Sequence, residues 1–157
     1  MKKILSVNEA TSITDVALLI ARVGIALLML THGVPKMVTL FSAAPVQFMP
    51  VMGMSAEFSL ALAVFAEVFC SILLLVGFAS RLAVIPLMMT MLVAVFLVHS
   101  ADPFAKQEPA LHYLLVYIVL LLAGSGKYSI DYLLSRKTFP TNTSAGKTER
   151  ANSLSYQ

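Results

Sequence analysis

The stretch VALLIARVGIALLMLTHGV, Val16–Val34, decides how this chain has to be read. A helix of roughly 20 apolar residues crosses a hydrocarbon layer about 30 Å thick. This run is of that length, with one ionised side chain, Arg22, inside it. Working outward, FSLALAVFAEVFCSILLLVGFA, Phe58–Ala79, has the same character and carries one acid, Glu67. Leu82–His99 and Ala110–Ser125 are shorter runs near the lower limit for a span, so they should stand steeply or extend past the core. The composition agrees, with 59% of the residues apolar and 12% charged. Soluble domains carry about 25% charged residues. The mean hydropathy is +0.86. The expected fold is all-α, an integral membrane bundle of four transmembrane helices.

The connections are unequal. Loop one, about Pro35 to Glu57, holds Phe41, Val46, Phe48, Met49, Val51 and Met52 beside Pro45, Pro50 and Gly53. It is too apolar for a free linker and should fold back on the bundle or lie in the interface. Ser80 and Arg81 form a tight turn that makes helices two and three an antiparallel hairpin. Ser100 to Pro109 is a short polar loop. A short interfacial helix, Ile130 to Lys137, follows helix four with Ser129 as its cap. Residues 1–137 are thus expected to be the transmembrane domain with its short cytoplasmic segment, and 138–157, rich in Thr, Ser and Asn, a disordered cytoplasmic tail. The start Met1-Lys2-Lys3 resembles a signal peptide, but Glu9, Asp15 and Arg22 and the lack of a nearby A-x-A site argue that the first helix is retained.

Charge places the chain. With four spans, Lys2, Lys3, Arg81, Lys127, Arg136 and Lys137 lie on one side and only Lys36 and Lys106 on the other, so the basic-inside rule puts both termini in the cytoplasm. Arg81 and Asp131 should meet on that side. The net charge of +3 has no basic stripe or aromatic interleaving, which argues against nucleic acid as a partner. One cysteine, Cys70, excludes an internal disulfide and a CxxC redox pair, and its apolar setting reads as packing.

An ionised side chain at the bilayer centre costs at least about 2.5 to 3.5 kcal/mol, so Arg22 and Glu67 should face inward with partners. Their placement on helices one and two suggests a buried ion pair with each other, with Tyr117 near enough to hydrogen-bond it. Its role is either to fix helix packing or to anchor a ligand. The three histidines, His32, His99 and His112, fall at the outer ends of helices one, three and four, close to Lys36, Asp102 and Glu108. They either anchor those ends at the headgroups or exchange protons with a ligand; with no HxxH or HxxxH pair on one helix, no metal site is expected. The candidate ligand-binding set is His32, Lys36, His99, His112, Glu108 and Tyr117, with Arg22 and Glu67 as the floor; no catalytic residue can be named.

These polar positions, in order, carry a resemblance. RVGIALLMLTHGVPK (Arg22–Lys36), Glu67, GFASRLA (Gly77–Ala83), Glu108 and GSGKYSID (Gly124–Asp131) together resemble the DoxX family of small bacterial membrane proteins, over about Leu19 to Asp131. The resemblance implies a four-helix membrane protein associated with sulfur or thiol oxidation, quinone-linked electron transfer or oxidative stress. It implies that Arg22, His32, Gly33, Lys36, Glu67, Arg81, Glu108, Gly126, Ser129 and Asp131 are its recurrent polar and glycine positions. The chain has no dinucleotide or phosphate loop, no haem CxxCH and no iron–sulfur cysteine set, so a redox centre would be a bound small molecule such as a quinone, or belong to a partner protein. The expected function is a membrane subunit or accessory of a redox system, at most an oxidoreductase subunit, binding a small amphipathic ligand. A non-enzymatic scaffold or assembly factor is one alternative. A small-molecule transporter is the other, and would require a homo-oligomer.

Overall fold

Pro35 is the first helix breaker after Val16, yet α1 runs through it, from Ala10 to Leu40. Residue 35 lacks the N–H that would bond the carbonyl four residues back, a loss of one bond that this long helix absorbs. The extension past Val34 sets Lys36 on the helix. Arg22, Ala26, Met29 and Gly33, alternately four and three residues apart, form the buried face of α1, and Lys36 continues that row. The computed structural model describes residues 10–43 and 45–138, all-α wherever it is regular. Lys2, Lys3 and the expected tail beyond Thr138 lie outside the described residues.

Helix α2, Ala56–Val76, starts at Ser55, whose side chain accepts the Phe58 N–H. Phe65–Cys70 forms a π-helical turn that contains Glu67. The helix stops at Gly77, which takes φ 73, a left-handed conformation that glycine adopts without steric cost. Helix α3, Ser80–Val98, admits Pro86 and ends in a second π turn, closed by a 2.9 Å bond from His99 N–H to the Ala94 carbonyl. Helix α4, Phe104–Ala123, begins six residues before the expected Ala110, directly after Pro103, and Pro109, its sixth residue, costs it one intrahelical bond. Helix α5, Ile130–Thr138, is capped as expected: Ser129 Oγ accepts the Tyr132 N–H at 3.2 Å.

The helices form a closed ring in which α1 packs on α2, α2 on α3, α3 on α4, and α4 on α1. Ala26, Met29, Leu74, Val84, Leu87, Tyr117 and Leu120 fill its centre. Three helices, Ile13–Leu40, Ala56–Val76 and Ser80–Val98, are long and apolar enough to cross a membrane. Helix α4, expected as a fourth span, is not among them; Lys106, Gln107 and Glu108 stand in its first turns, ahead of its apolar run. Outward-facing Ile20, Leu82, Phe96 and Leu122 are largely exposed, a surface that fits contact with a lipid bilayer and would be a liability in water. Loop one folds back as expected. The Val51 N–H donates to Ser59 Oγ at 3.1 Å, and Met52 and Gly53 turn the chain with φ 52 and 78.

Candidate functional site

Two clusters of polar side chains occupy opposite ends of the ring. At the turn end, Arg22 is 1% exposed, and its Nη1 and Nη2 donate to the carbonyls of Ser125 at 3.2 Å and Tyr128 at 2.7 Å. These carbonyls follow α4 and have no helical partners of their own. Gly77 must be glycine for a second reason here, since a Cβ would collide with Arg22 Nη1 and stand 2.7 Å from its Cζ. Asp131 accepts the N–H groups of Ala79 at 2.7 Å and Ser80 at 3.0 Å, a carboxylate on the first turn of α3 where the helix dipole favours it. That contact stabilises the left-handed Ala79, φ 48. Arg81 faces the same shallow hollow as Asp131, so the two meet in the expected neighbourhood. They do not form an ion pair, because Arg81 Nη2 donates to the Leu122 carbonyl at 3.3 Å. Asp15 joins the knot through Lys127, Nζ to Oδ2 at 3.2 Å.

The structure corrects the expected Arg22–Glu67 pair. A Cβ on Gly33 would lie 2.9 Å from the Glu67 backbone, which sets Glu67 level with Gly33 on α1. From Gly33 to Arg22 the helix advances roughly 16 Å along its axis, beyond the reach of an arginine. Glu67 instead meets Lys36, Nζ to Oε1 at 2.5 Å. Gly33 lets the two backbones approach closely enough for the pair to form.

This pair lies on the wall of a cavity of about 670 Å³ at the loop end. All four helices of the ring and loop one line it: Met29 and His32 from α1, Phe48, Met52 and Met54 from the loop, Leu62 and Ala66 from α2, Met89 and Met91 from α3, and Ala110 and Tyr113 from α4. The wall is mainly apolar, and its methionines adapt to irregular shapes. Most of its polar groups are engaged. Ser59 Oγ accepts from Val51, Thr90 Oγ1 donates to the Leu87 carbonyl at 2.8 Å, and His99 Nδ1 lies 2.7 Å from Asp102 Oδ2. Glu67, 3% exposed, has one oxygen on Lys36 and the other, Oε2, without a partner among the described residues.

Of the expected ligand set, His32, Lys36 and His99 line the cavity; His112 and Glu108 do not. Glu108 is exposed, and the His112 ring is held at its own helix, Nδ1 at 2.9 Å from the Glu108 carbonyl. Tyr117 is fully buried one layer inward, its ring 6.2 Å from Tyr113, which in turn meets His32 edge-on at 5.9 Å. Its hydroxyl has no partner among the described residues, so it does not bond the pair as expected. Cys70 is buried in the core. Sequence reasoning missed Lys106 and the loop-one methionines as lining residues. It also missed the π turn at Glu67, for which no residue pattern is diagnostic. Among the described residues no three His, Cys, Asp or Glu side chains gather as a metal site requires. At the mouth, the hydrogen bond from His99 holds the Asp102 carboxyl below its usual range against slight desolvation, with Lys106 assisting.

A family model described as DoxX matches residues 17–100, more than half of the chain. The chain belongs to the DoxX family. The matched DoxX segment contains both Arg22 with its Gly77 contact and the Gly33, Lys36 and Glu67 constellation, but stops short of Glu108 and of the Gly124–Asp131 segment that completes the turn-end knot. No curated protein and no solved structure gave a match.

Proposed function

We propose that this DoxX protein is a membrane component of a redox system, and that its loop-end cavity binds a small amphipathic ligand of the quinone class. The observation that carries the reading is the Lys36–Glu67 pair set into an otherwise apolar cavity between the helices and loop one. Such a wall suits a ligand with a polar head and an apolar tail, since ligand sites are mostly apolar with a few polar groups that orient the head. His32 and His99 line the same cavity and add polar ring nitrogens to its wall. Electrons would come from or pass to a partner protein, because the chain carries no haem, iron–sulfur or dinucleotide motif.

The test is photolabelling with an azido-benzoquinone bearing a ten-carbon tail, in native membranes. Label should fall on loop one and the cavity face of α2, and excess unlabelled quinone should displace it. Label confined to lipid-facing residues would defeat the proposal. Both termini are proposed to face the cytoplasm of a bacterial inner membrane, with the cavity opening on the other side, on the basis of the basic residues at the turn end. Reporter fusions at Gln157 and between Ser100 and Pro103 should report opposite sides.

A further inference from the structure

We infer that the cavity selects a head group that donates a hydrogen bond, the hydroxyl of a hydroquinone or phenol, over the oxidised form that only accepts. The inference rests on the ligand class proposed above and deepens it. It starts from Glu67, which lines the cavity with a side chain 3% exposed and whose Oε2 is buried without a hydrogen-bond partner among the described residues. As the acid of the Lys36 salt bridge, it offers its second oxygen as a hydrogen-bond acceptor.

None of the polar side chains described around the cavity, Ser59, Thr90, His99, Tyr113 and Tyr117 included, hydrogen-bonds that oxygen. Thr90 gives its proton to the Leu87 carbonyl and His99 is engaged with Asp102. The Lys36 side chain is 34% exposed. Its spare N–H donors can be satisfied by water, so an acceptor ligand gains little there. The buried oxygen cannot be served so easily. A hydroquinone hydroxyl would supply the missing donor through a charge-assisted hydrogen bond. A quinone in the same place would set carbonyl lone pairs against a carboxylate. The same side chain thus rewards one oxidation state and penalises the other, the pattern by which sites reject analogues lacking a hydroxyl.

No electron transfer is needed to test this. Affinities of the detergent-purified full chain would be measured anaerobically for a decyl-substituted hydroquinone and its quinone, and in parallel for 4-decylphenol and its methyl ether, which differ in the donor and do not change oxidation state. The hydroquinone and the phenol should bind at least about tenfold tighter than their partners, the discrimination expected of one buried hydrogen bond. Glu67→Gln, whose amide also donates, should collapse both preferences mainly by weakening the hydroxyl-bearing ligands. The wild-type comparison stands even if that variant does not fold. Equal affinities within both pairs would overturn the inference while leaving the proposed ligand class intact. Failure of all four compounds to bind would overturn both.

Discussion

Both ends of this bundle bury a charged side chain from the first two helices, and they treat it differently. At the turn end Arg22 gives Nη1 and Nη2 to backbone carbonyls outside the helices, while its Nε has no partner among the described residues and Arg22 lines no cavity there. At the loop end Glu67, a cavity-lining residue, is paired on one oxygen and has the other buried without a partner among the described residues. The first arrangement closes a structure and leaves no room, as the guanidinium lying directly over Gly77 shows. The second leaves an oxygen for something else. Proximity of a buried charge to motif residues does not by itself mark a ligand site; unsatisfied bonding capacity beside empty space does.

If the turn end is structural, its variants should lose stability without changing ligand discrimination. Arg22→Met abandons two buried carbonyls and should cost about 3 kcal/mol in reversible unfolding by denaturing detergent. The double variant with Glu67→Gln should be additive to within about 0.5 kcal/mol, since the two share no partner. A large coupling would return them to one network and erase the contrast between the ends. Gly77→Ala forces a Cβ into the left-handed region and against the guanidinium. The strain should lower stability by about 2 kcal/mol in the same assay. A loss in Gly77→Ala plus Arg22→Met smaller than the sum of the two single losses would trace part of the cost to that clash, the left-handed φ and Ser129 Cβ at 2.7 Å accounting for the rest.

The loop end should respond more mildly. A double-mutant cycle on Lys36→Met and Glu67→Gln should yield a coupling of about 1.5 kcal/mol, between the values typical of exposed and of fully buried pairs. The intermediate value follows from the partial exposure of Lys36. A coupling near zero would remove the pair from the description of the site. The smallest effect belongs to Asp102. Its folded-state pKa is depressed, chiefly by the hydrogen bond from His99. Its contribution is therefore present above the ordinary carboxylate range near pH ~4 and is lost as pH falls below it. Amide exchange between His99 and Gln107 should accelerate over that interval, and Asp102→Asn should remove the pH dependence.

Much of this is legible in the sequence because it is local. The apolar runs, the Ser129 cap and the fold-back of loop one follow from hydropathy and side-chain chemistry within a few residues. His32, Lys36 and His99 at one end follow from helix direction. The partners of Arg22 and Glu67 are not legible, because they depend on register. Ending the first helix at Pro35 removes Lys36 from the face that meets α2, and Glu67 then has only Arg22 to choose. Once Gly33 is known to touch Glu67, antiparallel counting places Arg22 opposite Gly77. The bonds of Asp131 escape for another reason. Charge complementarity favours Arg81, whereas two backbone N–H groups at a helix start are the better-aligned donors.

The π turn at Phe65–Cys70 makes α2 behave as a helix with a splice in it. Such a turn accommodates one residue more than a regular helix needs over the same rise. Deleting one residue inside it would restore regular winding while leaving Leu60 and Gly77 aimed inward as they are now. A deletion anywhere else in α2 would swing everything beyond it by about 100°. The position of the acid on the cavity wall is therefore separable from the packing of the helix that carries it, and the splice is where a shortened chain would keep its fold and lose its site.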